Sequence, residues 1–235
     1  MHFRCSSFLP RIGLIACLAL ALAPPVASAG HPSHPVVIGP HAHPFGKSYS
    51  EWSTRWWKWA LSQPAATNPL LDRTGEFCAE GQAGRVWFLA GLFGAGPVTR
   101  DCTVPAGKAL FVPVINNAYI PFPADPPEQR TKAYVRDQAR NGLPRDQAAG
   151  LSLVVDGHPI RRVERFYTET RFFSVELPAG NLFDLPANTV VAPVYGVGFY
   201  VMLAPLRPGT HTVEIDATAP FAIDVTYNLT VAPRH

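Results

Sequence analysis

The chain has 235 residues, with 20 basic against 17 acidic side chains, 25 prolines and four cysteines. So even a balance gives no electrostatic reason for a nucleic-acid or acidic-membrane partner. Proline spread along the whole length disfavours long helices and suits many short strands joined by turns.

Residues 1–29 read as a secretory signal peptide. Arg4 and Arg11 precede an apolar run from Ile12 to Leu22, and Ala27-Ser28-Ala29 supplies an A-x-A cleavage site. Leu14-Ile15-Ala16-Cys17 also has the look of a lipoprotein acceptor, but Arg11 lies too close to Cys17 for an h-region and the apolar run continues past it. The expected product is an exported chain (periplasmic or extracellular) that starts at Gly30. It carries 18 basic against 17 acidic residues once Arg4 and Arg11 are gone, and no second apolar run of spanning length follows. Cys5 and Cys17 leave with the signal. The remaining pair, Cys78 and Cys102, reads as one disulfide, since its spacing is not the C-x-x-C of a redox site.

Residues 30–44, "GHPSHPVVIGPHAHP", read as a flexible arm rich in Pro and His, ahead of a single domain at 45–235. His31, His34, His41 and His43 form a metal-like cluster whose spacing matches no closed zinc site, so no metal and no cofactor is expected. The next stretch, "SYSEWSTRWWKWALSQP", predicts a helix from a capping box at Ser48 and Glu51 to a stop before Pro64. At 100° per residue Tyr49, Trp52, Trp56 and Trp59 share one face, while Trp57 and Leu61 share the adjoining one. Glu51, Arg55, Lys58 and Ser62 make a narrow polar stripe, so the helix is expected to be sunk against a sheet rather than to display its rings.

Short apolar strands follow at Val86–Leu89 and Ala109–Ile115. "ADPPEQRTKAYVRDQARNG" then predicts a polar helix near 125–141, N-capped by Asp125 and read as an exposed insertion. Beyond Leu151 the pattern is β, with Asp156-Gly157 marking a hairpin and Val213 and Ile215 alternating with polar neighbours. The fold class expected is mainly β: β-sandwich-like, with the Trp-rich helix packed on the sheet and a second, polar helix.

Familiar catalytic signatures are missing: no G-x-S-x-G, no H-E-x-x-H, no P-loop. Gly196-x-Gly198 lies inside an apolar strand run, where close packing explains it better than phosphate binding. Of the mature histidines beyond the arm, His158, His211 and His235, none has a supporting triad motif. Polar residues concentrate between 46 and 117. Asn68, Asp72 and Gln82 suit turns and caps. Glu51 or Asp72 would serve as acid/base in a hydrolase or lyase, with Arg55, Arg100 or Asn116 orienting the substrate. Asn116 and Asn117 stand at a strand end, where side chains line clefts, and Trp57 and Trp87 are the rings suited to a ligand. A non-catalytic binding or envelope-associated protein, with a glycan or an apolar small molecule as its ligand, is the leading expectation. The hydrolase or lyase and a metal-binding arm are its alternatives.

The blocks "GKSYSEWSTRWWKWALSQP", "NPLLDRTGEFCAEGQAGRVWFLAG" and "CTVPAGKALFVPVIN" resemble those of a group of exported bacterial proteins of about this length, in which they occur in the same order. The resemblance covers roughly residues 46–117. It implies export and the pairing of Cys78 with Cys102, and it transfers no catalytic residue.

Overall fold

A computed structural model of the chain describes residues 34–233. The signal-peptide expectation for residues 1–29, His31 and His235 lie outside that range.

The Trp-rich segment forms helix α1, Tyr49–Leu61, and its start is the expected capping box. Ser48 Oγ accepts from the Glu51 amide while Glu51 Oε2 accepts from the Ser48 amide, so each residue's side chain satisfies the other's otherwise orphaned backbone donor. At the other end Asn68 Nδ2 donates to the Ala60 carbonyl at 2.8 Å, closing one of the helix's free acceptors.

Among the described residues eleven strands make two sheets. The first contains β1 (Val37–Ile38), β2 (Val86–Phe88), β4 (Ala109–Tyr119), β7 (Tyr167–Glu169), β8 (Phe173–Glu176) and β9 (Val190–Leu203). Its order is β1-β9-β4-β2, with β7 and β8 also paired to β9. The second contains β3 (Val98–Pro105), β5 (Ser152–Val155), β6 (His158–Pro159), β10 (Gly209–Ala217) and β11 (Ile223–Ala232), in the order β3-β11-β10-β5-β6. The fold is mainly β and β-sandwich-like, with the Trp-rich helix against the sheet.

Burial along the strands reveals the layering. β3 and β11 alternate buried and accessible positions, as sheets with one wet face do. β4 is buried without interruption from Ala109 to Ile115, because α1 covers one face of its sheet and the second sheet covers the other. Phe111 and Tyr200 stack 5.2 Å apart at an interplanar angle of 7°, and Tyr49 and Trp56 rest edge-on against them. All five tryptophans are buried. At 25 cal/mol per Å², burying one indole contributes roughly 4–6 kcal/mol before entropy is counted, which makes α1 a principal element of the core.

Two expectations change. The arm is not flexible from Val36 onward: Val37 and Ile38 add an antiparallel strand to β9, opposite Leu203 and Met202. Three consecutive β-branched residues have the propensity for it, and Tyr49 Oη donating to the Ile38 carbonyl fixes the register. The second helix, α2, spans Lys132–Gly142 and is capped by Thr131, whereas Asp125 instead accepts from the Phe122 amide in a turn. Nor is α2 an exposed insertion, since Val135, Ala139 and Leu143 are fully buried beneath it. Cys78 and Cys102 are disulfide-bonded, with Cα atoms 6.0 Å apart. Among the described residues no helix is long and apolar enough to cross a membrane.

Candidate functional site

α1 lies between two cavities. Along its polar stripe runs an open groove of about 660 Å³, and along its Trp57–Leu61 edge a smaller, more enclosed pocket of about 340 Å³. The expected site residues distribute unevenly between them.

The enclosed pocket brings Trp57, Asn116 and Asn117 together. α1 supplies Trp56, Trp57 and Leu61, the end of β4 supplies the two asparagines, and loops supply Phe93, Phe183 and Phe221. None of these lining residues is charged. Phe93 and Phe221 are 62% and 38% exposed, so the rim presents apolar surface that the fold itself leaves uncovered.

Close approach of α1 to the sheet depends on Gly196, and close approach of β4 to β9 depends on Gly198. A Cβ on Gly196 would stand 2.6 Å from Trp57 Nε1, and one on Gly198 would stand 2.6 Å from Asn116 Cβ. With neither present, Trp57 Nε1 reaches Tyr200 Oη at 2.9 Å, and Asn116 Nδ2 donates to the same oxygen at 3.2 Å. Burial pushes the Tyr200 phenol well above its ordinary pKa, so its proton stays on. Indole and amide thus both donate to the Tyr200 oxygen, which fixes the Asn116 side chain at the pocket wall. Asn117 is fixed differently: its Nδ2 donates to the Ala139 carbonyl near the end of α2.

The acid/base candidates do not converge. Asp72 is buried and its carboxylate is fully engaged: Oδ1 takes the Thr74 amide, the Thr74 hydroxyl and the Gly75 amide, and Oδ2 takes the Phe77 amide. Burial pushes its pKa up, but these hydrogen bonds outweigh it and hold the group below the usual carboxylate range. Arg100 is 1% exposed and ties three segments together through the carbonyls of Asp72, Ala90 and Gly91 and the Tyr227 hydroxyl. Both are structural ties, and neither lines a cavity with Glu51. Glu51 and Arg55 lie in the open groove, where Glu51 caps α1 and pairs with Arg171 at 3.5 Å.

Trp87 is buried away from the enclosed pocket. His211 contacts Asp156 at 2.7 Å, but its other ring nitrogen faces the Arg207 carbonyl at 2.9 Å, so neither nitrogen is free to serve a nucleophile. In the arm, His34 packs edge-on against His158 with centroids 4.4 Å apart. Among the described residues no group of three or more His, Cys, Asp or Glu is placed to hold a metal ion.

Tyr200 and the rim phenylalanines were not anticipated from the sequence. Gly196-x-Gly198, two glycines ahead of that tyrosine in a strand otherwise built of large residues, was the available signal. No family model, curated protein or solved structure matches this chain.

Proposed function

We propose that the protein is a non-catalytic binding protein whose enclosed pocket beside α1 takes a small, neutral, largely apolar molecule with a hydrogen-bonding polar group. The observation that carries this reading is the meeting of Trp57, Asn116 and Asn117 around one apolar cavity of about 340 Å³. That volume is at the small end of ligand pockets. Without a charged lining residue, an ionised ligand would be desolvated and left unpaired, which disfavours it. The side-chain amides of Asn116 and Asn117, held by Tyr200 and by the Ala139 carbonyl, supply the directional contacts.

Export supports the same role. A basic n-region, a short apolar run and Ala27-Ser28-Ala29 suit cleavage after Ala29, and the Cys78–Cys102 disulfide is compatible with an oxidising compartment. Membership of the exported group with the shared Trp-rich and Cys-containing blocks belongs to this reading too. Mass spectrometry of the protein from the culture's extracytoplasmic fractions should give a chain beginning at Gly30.

The binding test uses N-phenyl-1-naphthylamine, a neutral fluorescent probe, and its anionic relative 1-anilinonaphthalene-8-sulfonate. The protein should take up the first and discriminate against the second. Phe93→Asp, at an exposed rim position, should weaken uptake by roughly tenfold, the equivalent of about 1.4 kcal/mol. Equal uptake by the Phe93→Asp protein, or preference for the anionic probe, would overturn the pocket assignment.

A further inference from the structure

We propose that the open groove on the other side of α1 is a second, separate binding site, for an acidic saccharide bearing several carboxylate groups. Five cations surround it from four chain segments: Lys47 ahead of α1, Arg55 and Lys58 on it, Arg85 before β2, and Arg171 between β7 and β8. Glu51 is the one carboxylate among its lining residues. It is already engaged, accepting from the Ser48 amide and hydroxyl on one oxygen and lying 3.5 Å from Arg171 on the other.

Among the described residues Lys47, Arg55, Lys58 and Arg85 form no ion pair. A chain so nearly neutral overall has no need to crowd unpaired cations, and their mutual repulsion costs stability. Two of them are also held in position. The Arg55 guanidinium lies 5.8 Å from the Trp52 ring centroid and that of Arg85 lies 5.9 Å from the Phe45 ring centroid, which steadies each group while its N–H edges stay free to donate.

The floor decides the ligand class. Trp52, Trp59 and Phe88 give it apolar surface, but both indoles are buried and the Arg55 guanidinium stands over the Trp52 ring, so little open ring face is left. Bases of a single-stranded nucleic acid would want exposed ring faces to stack upon. A sugar ring needs only an apolar patch under its C–H face, with donors at its rim. One free oxyanion is far smaller than about 660 Å³ ringed by five cations, and a flat lipid surface does not enter a concave groove. A short chain of sugar acids matches the size, the apolar floor and the spaced charges, each carboxylate suiting a guanidinium or ammonium donor.

Isothermal titration calorimetry of the full mature chain with tetragalacturonic acid tests this, using its methyl ester as a neutral molecule of nearly the same shape. The acid should bind, and the ester should bind at least about tenfold more weakly. Arg55→Ala/Lys58→Ala alters two exposed side chains and should cost the acid roughly tenfold in affinity with an unchanged near-ultraviolet circular dichroism spectrum. Arg161→Ala/Arg207→Ala removes equal charge elsewhere on the surface and should leave the affinity within about twofold. The assignment is overturned by an acid that fails to bind at millimolar concentration, by an ester that binds equally, or by a control variant that loses as much. It is overturned equally by a single-stranded DNA oligomer that binds more tightly than the saccharide. Phe93→Asp leaves this groove untouched, so the two sites stand or fall separately.

Discussion

Single atoms set the distance between α1 and the sheet. Gly196→Ala would place a methyl group 2.6 Å from Trp57 Nε1 and 3.2 Å from the Asn117 carbonyl oxygen, both in a packed region. Urea unfolding should show a loss of about 1–3 kcal/mol, and probe uptake by the enclosed pocket should fall with it as Trp57 is pushed off Tyr200. Asp72 gives a residue-level pH dependence. Its pKa is lowered on folding, so its stabilisation is complete above the unfolded value of about 3.9 and is lost as pH falls through the folded one. Asp72→Asn should therefore be less stable than the wild type at pH 7, and that gap should narrow below about pH 4 in thermal melts. The sequence suggested turn duty for Asp72 and also acid/base duty. Four donors on one carboxylate decide for the turn, and those donors come from a loop conformation that no spacing rule predicts.

Among the elements, the β10–β11 pair carries a cost that its alternation conceals. Asp216 faces Asp224 directly across the ladder. Partial burial, then the charges of Asp224 and Glu214, raise the Asp216 pKa. The charged form thus penalises the folded state at neutral pH, and the penalty is relieved as pH falls through the raised folded value. Asp216→Asn should stabilise the protein at pH 7 by a few tenths to about 1 kcal/mol, and the gain should vanish by about pH 4. α1 was legible because local signals agreed: Ser48, Glu51, the aromatic period and Pro64 all mark the same helix. α2 was misread because Pro126, Pro127 and Glu128 imitate a helix start, although they form a 3₁₀ turn ahead of the real cap at Thr131. Its burial was hidden too, since Val135, Ala139 and Leu143 are a thin stripe in a polar segment, and the strands that α2 covers, β4 and β9, are remote from it in pattern.

Across the whole molecule, the disulfide joins the turn after Asp72 to the middle of β3. Its loop spans 24 residues, so replacing both cysteines with alanine should cost about 3 kcal/mol in denaturant unfolding, chiefly by freeing the unfolded chain. The strand pattern announced a β-sandwich but not its order. β3 lies parallel to β11, with Val98 opposite Val225, and β4 pairs with β9, so both sheets are completed by strands distant in the chain. Hydrophobic alternation tells which face of a strand is dry and is silent on which strand lies beside it.

That topology imposes a timetable on synthesis. A chain emerging amino end first presents β3 and β4 long before β11 and β9 exist to join them. Neither sheet can close early, however favourable the finished core, because closing the intervening loops must precede the contacts that reward it. The polypeptide therefore stays open until β9 and then β11 have been made. Until then β4 is an apolar ribbon lacking β9, whereas β3 alternates apolar with polar side chains.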